Sequence, residues 1–359
     1  MRTVEKIEGP GLAERWKKVR EEREGIRIRD AAEVLGVTEG ELLATEIGAS
    51  AVRLRPEFQD IFGRLDSLGR VMALTRNQEV VHERKGTYGE FQEVSGHGNM
   101  GLVLGDDIDL RIFFSSWAHA FAVTSEGRKG TLHSLQFFDR HGDAIHKIYL
   151  TEDSETQAYV ELVLEFMSED QSGGISVVPR EARPSELPDE EIDVEGFRNA
   201  WRSLKDTHDF FPLIRKFKVG REQALRLADR EFAYPVPADS FKFVLNTAAE
   251  RQLPIMVFVG NDGMIQIHTG EVEKVLEARG WFNVMDERFN LHIDQSKIGS
   301  AWVVRKPTDD GIVTSLEIFN AEGENVALFF GKRKPGIPEM EVWRQLVAEI
   351  ERIEAAGAA

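Results

Sequence analysis

The sequence predicts an α+β protein built as a tandem duplication, two similar halves each with a large antiparallel β-sheet flanked by helices, and three observations carry that reading. First, the segment SLQFFDRHGDAIHKIYL from Ser134 returns about half the chain later as SLEIFNAEGENVALFFG from Ser315, with Phe138 opposite Phe319 and Gly142 opposite Gly323. A period this long marks duplicated domains rather than stacked short repeats. Second, the block before it, IDLRIFFSSWAHAFAV, faces FNLHIDQSKIGSAWVV without a gap, pairing Leu110 with Leu291, Arg111 with His292 and Phe121 with Trp302. Third, each half runs helices, then strands, then a helix, so the two kinds of element are segregated rather than alternating.

Each half opens with a helix, marked by Trp16 and Trp201. ALTRNQEVVHERKG from Ala73 and VFVGNDGMIQIHTG from Val257 then read as hairpins around Asn77 and Asn261, because Asn tolerates the backbone a tight turn requires. The closing helices show apolar residues three or four apart: Tyr159, Leu162, Val163 and Phe166, then Trp343, Leu346, Val347 and Ile350. Between the halves, SEDQSGGISVVPREARPSELPDEEIDVEG has the composition of an exposed linker. The expected boundaries are 1–167 for the N-terminal repeat, 168–194 for an acidic, Pro-containing linker and 195–359 for the C-terminal repeat.

Composition narrows the chemistry. The chain of 359 residues carries 45 Lys and Arg against 62 Asp and Glu, a net charge of −17, which opposes any function resting on broad phosphate neutralisation. It contains no Cys, so disulfides, thiolate metal sites and cysteine nucleophiles are excluded, and metal chemistry must use His, carboxylate, Tyr or Met. No apolar run approaches the roughly 18 residues of a membrane span, and the charged N-terminus lacks a signal-peptide core, so a cytoplasmic protein without membrane insertion is expected. Gly-rich phosphate loops, nucleophile elbows, HExxH and EF-hand patterns are absent from the sequence.

In a duplicated chain, chemistry peculiar to one half shows where the halves disagree. The sharpest disagreement is WRSLKDTHDFFPLIRKF, whose His208 has no counterpart in WKKVREEREGIRIRD. A lone helical His reads first as a surface or core-edge residue. Its neighbours Phe210 and Phe211, with Arg215, Lys216, Lys218 and Arg221 downstream, open a second reading: a ligand to the iron of a flat, hydrophobic, dianionic macrocycle. His82 aligns with Gln266 and reads as a solvent-facing strand residue, and His97 lies in a Gly-rich loop. RDAAEVLGVTEGELLATEIG from Arg29 has helix-turn-helix spacing, but its second helix carries Glu where DNA contacts should be. A ligand-responsive DNA-binding regulator is therefore only the alternative reading.

Together DTHDFF, RNQEVVHE, GHGNMGLVL, IDLRIFF, SLQFFDRHGDAIHKIY, VFVGNDG, GWFNV, AWVVRKPTDDG and VTSLEIF resemble the bacterial haemin-degrading factor family, also called haemin transport proteins. The resemblance runs from Trp16 to about Arg344. It implies two stacked α+β halves with haem in a cleft on the C-terminal half. It makes His208 the axial metal ligand and places Arg111, the candidate catalytic residue, on the opposite haem face. It further implies haem contacts from Lys306, Arg333 and Arg221, which would meet the propionates as cations, and from Phe113 and Phe258 as apolar lining. Where relatives carry Gln and Tyr, this chain has Leu328 and Phe330, so a drier pocket is expected. The implied function is haem uptake and iron acquisition: accepting imported haem, then degrading it with an external reductant or delivering it to a haem oxygenase. A haem importer is the other implied partner.

Overall fold

Residues 11–94, 99–127, 130–181, 186–334 and 336–357 are described by the computed structural model, with side chains described as far as residue 350. The N-terminal repeat supplies β1 (Ala51–Leu54), β2 (Gly69–Arg76), β3 (Val80–Thr87), β4 (Phe91–Glu93), β5 (Met100–Leu104), β6 (Asp109–Phe113), β7 (Trp117–Gly127), β8 (Gly130–Asp139) and β9 (Ala144–Ser154). The C-terminal repeat supplies β10 (Ala233–Val236), β11 (Ile255–Asn261), β12 (Met264–Gly270), β13 (Val275–Ala278), β14 (Trp281–Met285), β15 (Phe289–Asp294), β16 (Ile298–Thr308), β17 (Gly311–Asn320) and β18 (Asn325–Gly331). The duplication is therefore present strand for strand. Even the irregularities repeat: the β8–β9 register slips at Phe138 and the β17–β18 register at Phe319. The following turns need Gly142 at φ +83° and Gly323 at φ +75°, where an L side chain is strained.

The sheets do not respect the boundary between the repeats. One has the order β1-β7-β8-β9-β2-β3-β15-β14-β13, the other β10-β16-β17-β18-β11-β12-β6-β5-β4. Each is nine-stranded and antiparallel, and each takes three strands from the other repeat. The first and second sheets are called A and B below.

Apolar inner faces explain the stacking. On sheet B the inward residues Ile255, Val257, Val259, Val303, Leu316, Ile318 and Phe329 share one core with Phe282, Val284, Leu291 and Ile293 of sheet A. The helices Ser240–Glu250 and Glu341–Gly357 close that core with Phe241, Val244, Trp343 and Leu346. A matching core joins Val71, Ala73, Leu135 and Phe137 of sheet A to Val103, Leu110 and Ile112 of sheet B, closed by the helices Phe58–Phe62 and Thr156–Phe166. Alternation along each strand therefore leaves a second, outward face on both sheets.

That outward face is only partly covered. Over sheet B, the helices Val194–Arg202, Phe210–Phe217 and Arg221–Leu227 bury Phe197, Trp201, Leu213, Ile214 and Leu225 against Val304 and Phe319 of β16 and β17. Trp201 anchors this cover by donating its indole N–H to the Arg305 carbonyl at 3.0 Å. Over sheet A, the helices Leu12–Glu22, Ile28–Leu35 and Glu39–Ala44 do the same work. The helix-turn-helix outline is thus part of a packing layer. Its second helix is six residues long, with Gly40, Leu42, Leu43 and Ala44 buried, so it presents no free reading face.

Candidate functional site

His208 lies in a single 3-10 turn, Thr207–Asp209, between two helices of the sheet B cover, rather than inside a helix as its spacing suggests. Its side chain is 90% exposed, and the ring Nδ1 stands 2.5 Å from the Asp206 carboxylate. The same carboxylate accepts the His208 backbone N–H at 2.7 Å. That backbone bond, helped by the ring and by the charge of Arg333, outweighs burial and holds Asp206 below the usual carboxylate range. Nε2 is left as the ring atom facing out. Phe211, 57% exposed, lies three residues further on.

The foundation of this turn is a buried charge cluster. Phe210, next to the turn, lies with its ring centroid 4.5 Å from Lys306 Nζ and 5.3 Å from the Arg221 guanidinium. Both cations are committed to the fully buried Glu317: Lys306 Nζ donates at 2.8 Å, and Arg221 donates from Nε and one terminal nitrogen at 2.8 and 3.0 Å. Burial alone would raise the Glu317 carboxyl, but the two cations pull it down to about 2. As placed, they neutralise Glu317 and support Phe210, and so hold the turn that carries His208.

Beyond that cover, the bare part of sheet B is defined by register. One row runs from the buried Glu317 at the edge of the cover through Leu328, Phe258, the buried Ile267 and Asp109 to Leu104, and the next includes Ile265, Arg111 and Leu102. Phe258 meets Phe330 edge to face at 5.1 Å, and Phe113 lies on the same face as Arg111. Arg111 is held along its own strand by Asp109 and by the Leu110 carbonyl at 3.2 Å. Arg333 follows β18, close enough to Asp206 for its charge to be felt there, and its Nε is buried without a hydrogen-bond partner. The structure thus brings His208, Arg333, Phe258, Arg111 and Phe113 to one side of sheet B. Sequence reasoning missed Asp206, Ile265 and Ile267. The DTHD spacing was a legible signal for the first, and period-two alternation for the others.

The equivalent row on sheet A is an internal control. It reads Gln136, Lys147, Leu74, Glu83, Asn290 and Met285, with Arg76 and His292 in the adjoining row. Leu328 thus replaces Lys147, and Ile267 replaces Glu83. Lys147 is buried in an ion pair with Glu39. At these two positions sheet B is apolar where sheet A is charged, although the backbones are related.

His82 corrects another expectation. It is fully buried on the inner face rather than solvent-facing, 5.0 Å from the Phe289 ring, with neither ring nitrogen hydrogen-bonded. Burial, then the neighbouring His268 and Arg84, drives it well below the usual imidazole range. As placed, it has no access to a second ligand. His97 lies outside the described residues.

A duplicated α+β scaffold, with the outward face of sheet B bordered by an exposed histidine and two arginines, defines a protein of two fused, structurally related repeats. The chain belongs to the family of the haemin-degrading HemS.ChuX domain, which it matches twice, at residues 36–166 and 218–350. It is 38% identical over 351 residues to the hemin transport protein HemS of Yersinia enterocolitica, covering 96% of this chain and 99% of that one. The structure of holo-PhuS, a heme-binding protein from Pseudomonas aeruginosa, superposes with a TM-score of 0.91 at 45% identity, covering 94% of this chain and 98% of that one. ChuS, described as an E. coli heme oxygenase, superposes with a TM-score of 0.84 at 34% identity, covering 94% of this chain and 99% of that one. No helix among the described residues is long and apolar enough to cross a membrane.

Proposed function

We propose that this protein binds one haem on the bare outward face of sheet B, with His208 as the axial ligand, and serves cytoplasmic haem uptake and iron acquisition. The observation that carries this reading is the contrast between the two outward faces. A planar macrocycle needs apolar area, which Phe258, Leu328, Phe330 and Ile265 offer above the buried Ile267, whereas on sheet A the positions related to Leu328 and Ile267 carry the charges of Lys147 and Glu83. The residues present fit the group: an imidazole for iron, an unsatisfied Arg333 donor for a propionate, and Arg111 on a strand of the other repeat for the opposite face. The site therefore needs the N-terminal repeat, 1–167, as well as the C-terminal repeat, 195–359.

Between carriage and degradation, the 90% exposure of the His208 side chain favours carriage, since an open ligand can be exchanged with a partner such as a haem importer or a haem oxygenase. The test is haem-loaded protein given ascorbate with and without catalase, followed by absorbance and product mass. Carriage predicts bleaching that catalase abolishes. A verdohaem or bilin product that survives catalase would instead establish ring opening, with Arg111 as its catalytic residue.

A further inference from the structure

We propose that Asp206 is the positioning residue for the axial ligand: it fixes the tautomer in which His208 offers Nε2, and it strengthens that nitrogen as a donor to haem iron. This rests on the haem reading above.

One carboxylate oxygen holds His208 at two points, the backbone N–H at 2.7 Å and the ring Nδ1 at 2.5 Å. A carboxylate only accepts, so the proton lies on Nδ1 and the lone pair on Nε2. Turning the ring would break the shorter of these contacts. Asp206 is itself held, because its own backbone N–H is accepted by the Asp209 carboxylate at 3.2 Å. The ring therefore stands outward, 90% exposed, in one orientation and one tautomer before any ligand arrives. A backbone carbonyl in the same place would also fix the tautomer. The full negative charge does more: it draws the Nδ1 proton and makes Nε2 the stronger electron donor, which would favour ferric over ferrous iron.

A purely structural role is also visible, since Asp206 caps the turn. The variants separate the two. Asp206→Asn keeps an oxygen that accepts both N–H groups and removes only the charge. Asp206→Ala removes both, and Asp209→Ala breaks the other half of the cap without touching the imidazole. In the full-length protein without haem, 15N spectra of the His208 ring are expected to show the Nδ1–H tautomer, and a mixture in Asp206→Ala. With haem bound, Asp206→Asn is expected to raise the reduction potential and lower the ferrous iron–histidine stretching frequency, while Asp209→Ala, which keeps the Asp206 charge beside Nδ1, shifts both by clearly less. Equal potentials and frequencies in Asp206→Asn and wild type, or the same shifts in Asp209→Ala, overturn the proposal. An unchanged Soret band in His208→Ala overturns the haem reading itself, and the two failures are thereby distinguishable.

Discussion

Asn77 and Asn261 hold each other's hairpins. The Asn77 side-chain amide donates to the Gly260 carbonyl at 3.2 Å, and the Asn261 amide donates to the Arg76 carbonyl at 3.0 Å. Each side-chain oxygen meanwhile accepts two backbone N–H groups of its own turn, from Glu79 and Val80 in one and Gly263 and Met264 in the other. The pair marks the place where the two repeats meet, and it fixes the approach of sheet A to sheet B. Replacing either Asn with Ala is expected to cost about 2 to 4 kcal/mol, since several partly buried groups lose partners at once. Urea unfolding measures this, with the double variant expected to cost less than the sum of the singles. A loss under about 0.5 kcal/mol would show the contact to be incidental.

Glu317 is the next structural test. Glu317→Gln leaves Lys306 buried without a counter-charge and is expected to destabilise the protein by roughly 3 to 5 kcal/mol. Haem affinity is expected to fall with it, because Phe210 and the His208 turn lose their support. Denaturation and haem titration on the same variant check both effects, and undiminished stability would remove the cluster from this account.

Acid should weaken the fold through its buried histidines. Burial pushes His146 to about 3, and burial followed by Arg84 does the same to His268, both from an ordinary 6.5. Between those values the unfolded chain binds protons that the native protein refuses, so stability rises with pH across this window and falls as pH drops below about 6.5. The urea midpoint is expected to be lower at pH 5 than at pH 7, and His268→Gln is expected to flatten the dependence. A midpoint that rises on acidification contradicts the assignment.

Much of this was legible because it is local. The Asn hairpins, the Gly142 and Gly323 turns and the closing helices follow from residues near one another in the chain. The exchange of three strands between the sheets was not, since the partners of β6 and β15 are chosen by which apolar face closes over which core. His208 stood out because the halves disagree there. The partner of Lys306 and Arg221 was not legible, because their charges are answered by Glu317, whose burial no linear pattern reveals. His82 was misplaced because alternation says which residues share a face, but not which face is inside.

The contrast between the outward faces gives its own test. Leu328→Lys, which installs the residue found at the related position 147, is expected to leave folding intact and lower haem affinity by about tenfold or more, through burial of an unpaired charge. Lys147 has Glu39 as its partner, and position 328 has Glu317 already committed to two cations. Unaltered affinity would place haem elsewhere.

The central claim is that His208 ligates haem on sheet B. Haem titrated into His208→Ala, followed by the Soret band and by tryptophan quenching, tests it most directly. The account predicts markedly weaker one-to-one binding or a displaced Soret band from a substitute ligand, in a protein that unfolds like the wild type, because the side chain is 90% exposed. A spectrum and affinity identical to those of the wild type would contradict it.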